Sequence, residues 1–127
     1  MKEIVLIDDN QIFRFLFENL LKGYNDEPFN FKSFENALDA LDYFNENKDT
    51  YCPDIIYVDI NMPFMTGWEM MEKLTTADFK YLQKSKIYII SSSDNPNDID
   101  FMKNFPFVNE YLLKPINQEK LIASIIN

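Results

Sequence analysis

Three short apolar runs constrain this chain more than anything else in it: Ile4-Val5-Leu6-Ile7, Ile55-Ile56-Tyr57-Val58 and Ile87-Tyr88-Ile89-Ile90. Each is continuous rather than alternating, and each stops at polar residues: Asp8-Asp9-Asn10, Asp59 and Ser91-Ser92-Ser93. A strand that is apolar at every position has two faces to cover, and covering both is the habit of parallel sheets flanked by helices. The stretches between the runs are longer and amphipathic. Phe13, Leu16, Phe17, Leu20 and Leu21 fall at i, i+3, i+4, i+7 and i+8, one face of a helix. Ala37, Leu38, Leu41 and Phe44 recur at helical spacing, as do Leu121, Ile122, Ile125 and Ile126.

The remaining elements follow from punctuation. Gly23 fits the left-handed position that ends helices. Phe29 to Phe34 alternates and reads as a half-buried or edge strand. Ser33 is a candidate cap for the helix after it. Thr66-Gly67-Trp68-Glu69 matches the Thr-x-x-Glu capping box and starts a helix carrying Met70, Met71 and Leu74. Asn95-Pro96 reads as a cap followed by proline in the first turn, and Tyr111-Leu112-Leu113 as a last short strand ending at Lys114-Pro115. Residues 75–86 are polar and carry no clear pattern. Strand then helix, five times over, predicts one α/β domain across residues 1–127, a doubly wound parallel sheet with right-handed crossovers.

Composition excludes whole chemistries. With no histidine in 127 residues, Ser-His-Asp and Cys-His triads, His-ligated zinc and an internal phosphohistidine are all ruled out. Two glycines, Gly23 and Gly67, build neither a GxGxxG turn nor a P-loop. The lone Cys52 forms no internal disulfide, as expected of a reducing compartment. Twelve basic against 21 acidic residues give a net charge of −9, which argues against nucleic acid or anionic lipid as a partner. No apolar run approaches the roughly 18–20 residues of a membrane span, and the N-terminus has no signal-peptide pattern. A cytoplasmic domain is the expectation.

The polar residues at the strand ends carry the functional reading. In an open α/β sheet the ligand site lies outside the carboxyl ends of the strands. Asp8, Asp9, Asp59, Ser91 and Lys114 would therefore converge, although more than 100 positions separate the first from the last. Two unit charges about 4 Å apart at an effective dielectric of about 20 repel by roughly 4 kcal/mol. Three carboxylates thus call for compensation, partly from Lys114 and partly from a divalent cation. With oxygen ligands alone the natural choice is Mg²⁺. Metal, lysine and carboxylate together suit phosphoryl transfer, with the carboxylate as nucleophile.

Over essentially all of its length the chain resembles the response-regulator receiver domain of two-component signalling. Asp59-Ile60-Asn61-Met62-Pro63-Phe64-Met65-Thr66-Gly67 is similar to that family's D-x-x-M-P-x-M-x-G signature, and Asp8-Asp9, Ser91-Ser92 and Lys114-Pro115 follow in family order. The resemblance implies a flavodoxin-like (βα)5 fold with strand order 2-1-3-4-5. It implies Asp59 as phosphoacceptor, and Asp8, Asp9, Asp59 and the backbone carbonyl of Asn61 as Mg²⁺ ligands. Lys114 and Ser91 would contact the phosphoryl group, Ser92 would fill the small-residue position, and Tyr111 would be the aromatic switch. Pro63 and Gly67 would shape the acceptor loop, and Lys114-Pro115 would be a cis peptide. The chain departs from the family pattern at Ser91 in place of threonine, at Trp68 after Gly67, and at Phe105-Pro106-Phe107 with Asn109-Glu110 before Tyr111.

The function so implied is a phosphorylation-dependent module, not a turnover enzyme. It would accept its phosphoryl group from a sensor histidine kinase or a histidine phosphotransfer protein. Its response surface for a downstream protein would be the fourth helix, fifth strand and fifth helix, roughly residues 96–126. A Mg²⁺-dependent phosphatase of the aspartyl-phosphate type is one alternative, but it needs a second acid two residues after the nucleophile, and Asn61 stands there. A receiver-like interaction module that is not phosphorylated is the other. The chain starts at Met1 and stops just after its fifth helix, as expected of a stand-alone receiver. Phe13, Phe15 and Phe17 are read as helix-face residues without a partner role.

Overall fold

The computed structural model describes residues 1–127 and carries five strands and five helices in strict alternation. In chain order these are β1 (Lys2–Ile7), α1 (Gln11–Leu21), β2 (Phe29–Phe34), α2 (Ala37–Glu46), β3 (Ile55–Val58), α3 (Gly67–Lys73), β4 (Lys86–Ser91), α4 (Pro96–Phe101), β5 (Val108–Leu113) and α5 (Gln118–Ile126). The segment without a sequence pattern holds one short 3-10 turn, Lys80–Lys84. All strand pairs are parallel, in the order β2-β1-β3-β4-β5. No helix is long and apolar enough to cross a membrane.

The continuous runs are covered on both faces, for the reason that made them legible. Val5, Ile7, Ile56, Val58, Ile87 and Ile89 face one way, against Phe44 of α2 and Met70 and Met71 of α3. Ile4, Leu6, Ile55, Tyr57, Tyr88 and Ile90 face the other way, against Phe17 and Leu21 of α1 and Leu121 and Ile125 of α5. Every residue from Ile4 to Ile7 and from Ile56 to Val58 is fully buried. The expected edge strand is an edge strand, with Asn30 and Ser33 exposed and its other residues half-buried.

Three local expectations need correction. Gly23 is not left-handed; no glycine in the chain has positive φ. Helix α1 instead ends in right-handed turns, with the N–H groups of Lys22, Gly23 and Tyr24 bonded three residues back. Gly23 leaves space, because a Cβ there would meet the Gln118 amide, which donates to the Leu20 carbonyl at 3.0 Å. Ser33 does not cap α2. Asn36 does, accepting from the Asp39 N–H at 2.8 Å, since β2 runs on to Phe34 and leaves Ser33 inside the strand. Strand β5 starts at Val108, three residues earlier than its sequence signal. A register shift against β4 places Val108 opposite Ile87 and Glu110 opposite Tyr88. The extra residue, Asn109, accepts from the Ile87 N–H at 3.3 Å. Such a bulge breaks the period-2 pattern from which a strand is recognised. The capping box at Thr66–Glu69 and the Asn95-Pro96 start of α4 are both present.

Candidate functional site

The carboxyl ends of β1, β3, β4 and β5 deliver their polar residues to one place. Asp8 directly follows β1 and is fully buried, and Asp59 directly follows β3 and is 6% exposed. Asp9 is exposed beside them. Carboxylate oxygens of Asp8, Asp9 and Asp59 all lie within 4.8 Å of one another. Lys114, after β5, reaches in with its ammonium 2.7 Å from Asp8 Oδ2 and 3.8 Å from Asp59 Oδ2. The Lys114-Pro115 peptide is cis, as the family resemblance implied.

Backbone groups fix the carboxylates. Asp8 Oδ1 accepts from the Asn10 N–H at 2.9 Å, and Asp59 Oδ1 accepts from the Ile60 N–H at 2.9 Å. Asp59 Oδ2 is left facing Lys114. Burial, then the Asp8 charge, lifts the Asp59 pKa from the ordinary 3.8 to about 6, against the lowering pull of Lys114 and the Ile60 hydrogen bond. Asp59 is thus ionised at neutral pH but unusually basic for a carboxylate, which suits a nucleophile. The oxygen-only donor set fits a hard divalent cation of the Mg²⁺ kind, which takes one or two carboxylates and keeps waters.

The acceptor loop is closed tightly behind Asp59. The Gly67 N–H donates to the Ile60 carbonyl at 2.8 Å, and Met65 N–H to the Pro63 carbonyl at 2.8 Å. Between the latter pair Phe64 takes φ 70°, a conformation rare for an aromatic residue, with its side chain 80% exposed. A Cβ on Gly67 would collide with the Asp59 carbonyl oxygen and stand 3.0 Å from Ile60 Cα. Both obstacles are backbone, so Gly67→Ala is expected to cost about 1–3 kcal/mol, as overpacking does. Unchanged denaturant stability in that variant would contradict the close approach.

The remaining sequence candidates are near but play distinct parts. Ser91 ends β4 fully buried; its Oγ accepts from the Ser93 N–H at 3.1 Å, and its carbonyl accepts from Lys114 N–H at 2.8 Å. Ser92 is exposed and shares a groove with Lys114. Tyr111 is half-buried and donates its hydroxyl to the Ser93 carbonyl at 2.7 Å, not to Ser91. Ser93 itself donates to Asp98 Oδ2 at 2.5 Å, tying the β4–α4 loop to α4. Asn61 and Pro63 are exposed on the acceptor loop. Trp68 is half-buried and stacks on Phe105, ring centroids 5.9 Å apart.

Sequence reasoning assigns three further residues no role in the site. Arg14 donates from Nη1 to the Asp8 carbonyl at 2.7 Å. The Phe13 ring lies under the Lys114 ammonium, 4.1 Å from ring centroid to Nζ. Ser93 joins Tyr111 to α4, as above. Phe13 and Arg14 sit on the first turn of α1, and which way they point depends on how that helix is rotated against the sheet.

Comparison with known proteins agrees with this geometry. The family model described as the response regulator receiver domain matches residues 4–126. The transcriptional regulatory protein DegU of Brevibacillus brevis is 30% identical over 97% of this chain and 48% of its own length. The chemotaxis protein CheY of Listeria monocytogenes is 24% identical over 98% of this chain and 96% of its own. A two-component response regulator from Cytophaga hutchinsonii is 27% identical, with a TM-score of 0.88 over 99% of this chain and 95% of that one. The chain spans half the length or less of the larger curated relatives and most of the smaller ones.

Proposed function

Because the chain belongs to the response regulator receiver domain family, we propose that it is a phosphorylation-dependent signalling switch whose acceptor is Asp59. The observation that carries this is the convergence of Asp8, Asp9, Asp59 and Lys114 at the sheet's carboxyl end. Asp8, Asp9, Asp59 and the Asn61 carbonyl would hold Mg²⁺, which when bound neutralises charge on the carboxylates and the incoming phosphoryl group.

The chain's own residues divide the remaining work. Asp59 Oδ2 attacks phosphorus; the N–P bond of a phosphohistidine breaks, an O–P bond forms, and the departing imidazole keeps the electron pair and takes up a proton. Lys114 leaves its pairing with Asp8 and Asp59 to hold a phosphoryl oxygen. The donor histidine lies outside these 127 residues, which contain none. A sensor histidine kinase or a histidine phosphotransfer protein supplies it, in the cytoplasm. Asn61 offers no general acid two residues after the acceptor, which favours a phosphoacceptor over a turnover enzyme.

The switch follows from hydrogen bonds already described. Ser91 Oγ is engaged by the Ser93 N–H, and the Ser93 carbonyl holds Tyr111. A phosphoryl oxygen on Asp59 accepts from the Ser91 hydroxyl and draws Oγ toward the pocket, away from the Ser93 N–H. That movement loosens the Ser93 turn, and with it the seats of Tyr111 and α4. The face around residues 96–126 then changes for a downstream protein.

Acetyl phosphate with Mg²⁺ tests the reading. Intact mass is expected to rise by one phosphoryl group, and beryllofluoride with Mg²⁺ is expected to shift the Tyr111 and α4 resonances. No adduct and no beryllofluoride complex would overturn it.

A further inference from the structure

We propose that Phe13 is a positioning residue for phosphoryl binding, holding the Lys114 ammonium over its ring face; this deepens, and rests on, the reading of Asp59 as the acceptor. Lys114 Nζ has three close neighbours: Asp8 Oδ2 at 2.7 Å, Asp59 Oδ2 at 3.8 Å and the Phe13 centroid at 4.1 Å. The first two are anions, and they compete with any phosphoryl oxygen for the same ammonium. The ring attracts the ammonium through its quadrupole without carrying net charge. It therefore keeps a long, flexible side chain in place while leaving its N–H groups to the ligand, and it does not repel an incoming anion.

The ring is itself anchored. The Phe13 N–H donates to Asn10 Oδ1 at 3.0 Å, which fixes the first turn of α1. Its ring lies 6.0 Å from that of Phe17, which is fully buried and meets Tyr57 edge-on at 4.9 Å. Lys114 is thus referenced to the core through a chain of aromatic contacts. Phe13 is not simply filling the interior. It is half-buried and lines an open groove of about 530 Å³ between α1 and the Lys114–Ile116 turn, so truncating it opens no sealed void.

The experiment separates ring electronics from ring shape. Phe13 is replaced by leucine, by tyrosine, and by phenylalanine carrying one or three ring fluorines, which weaken the face and keep the outline. Phe15→Leu, an exposed change on the same helix, is the control. The readouts are the initial rate of phosphorylation by acetyl phosphate with Mg²⁺ and the ring-current shift of the Lys114 ε-methylene protons. Phe13→Leu is expected to lose that shift and slow phosphorylation roughly fivefold to thirtyfold, what a partly desolvated cation–π contact is worth. The fluorinated series is expected to grade between parent and leucine, while Phe13→Tyr and Phe15→Leu keep the parent rate. A rate indifferent to fluorination, or Phe13→Leu at the parent rate, overturns the role of Phe13 and leaves the acceptor reading intact. A parent chain that takes no phosphoryl group at all overturns both.

Discussion

In metal-free buffer at pH 7, Asp59→Asn is expected to be more stable than the parent chain by on the order of 2 kcal/mol, while losing all uptake of a phosphoryl group from acetyl phosphate. The two effects have one origin. Burial and the neighbouring Asp8 charge hold the Asp59 proton up to about pH 6, against 3.8 for an ordinary aspartate. Between those values the folded state binds a proton that the unfolded chain has released, so stability falls as pH rises from about 4 to 6. Above pH 6 the folded state carries the whole penalty of a buried, repelled anion. Asparagine never carries it, yet keeps an oxygen to accept from the Ile60 N–H. Urea melts of both chains at pH 4 and pH 7 check this: the difference should be near zero at the lower pH and full at the higher. Equal stability at pH 7 would mean that the three acids do not share a pocket in solution.

Lys114→Met should act in the opposite direction and more strongly, costing about 3 kcal/mol at pH 7 without metal. Methionine keeps the hydrocarbon stem but leaves the fully buried Asp8 without the cation 2.7 Å away. Removing one partner of a buried pair costs more than the pair was worth, because the other charge stays behind. The two substitutions should also be coupled. With Asp59→Asn already in place, one repulsive carboxylate is gone, and Lys114→Met should cost less than it does in the parent. Four urea melts complete this double-mutant cycle. Strict additivity would place Lys114 outside the shared field of Asp8 and Asp59.

The central sheet was legible because burial on both faces writes itself as uninterrupted runs of Ile, Val, Leu and Tyr. At the ends and edges that signal fades. In β5 only Val108 and Leu112 are buried, and the bulge at Asn109 resets the alternation, so the sequence signal spans only three residues. Ser33 and Asn36 are both good caps by residue type. Only the pairing of β2 through Phe34 with Ile7 decides between them. The site divides in the same way. Asp8, Asp59, Ser91 and Lys114 were readable because strand ends are fixed by the sheet. Phe13 and Arg14 were not, because helical spacing gives the relative angles of side chains and not the rotation of the helix as a whole.

Helix α4 is built unlike its neighbours. It is six residues long, none of them buried, and it is attached by the Ser93–Asp98 hydrogen bond and the contact of Phe101 with Trp68. A segment that contributes so little to the interior opens at a small fraction of the global unfolding free energy. Its amides should then exchange with solvent independently of the sheet, and a denaturant melt would barely register its loss. Global robustness and the shape of this one face are consequently separate quantities in the same molecule. Sequence drift can retune the face, and so what it adheres to, without eroding the scaffold that holds the acid pocket.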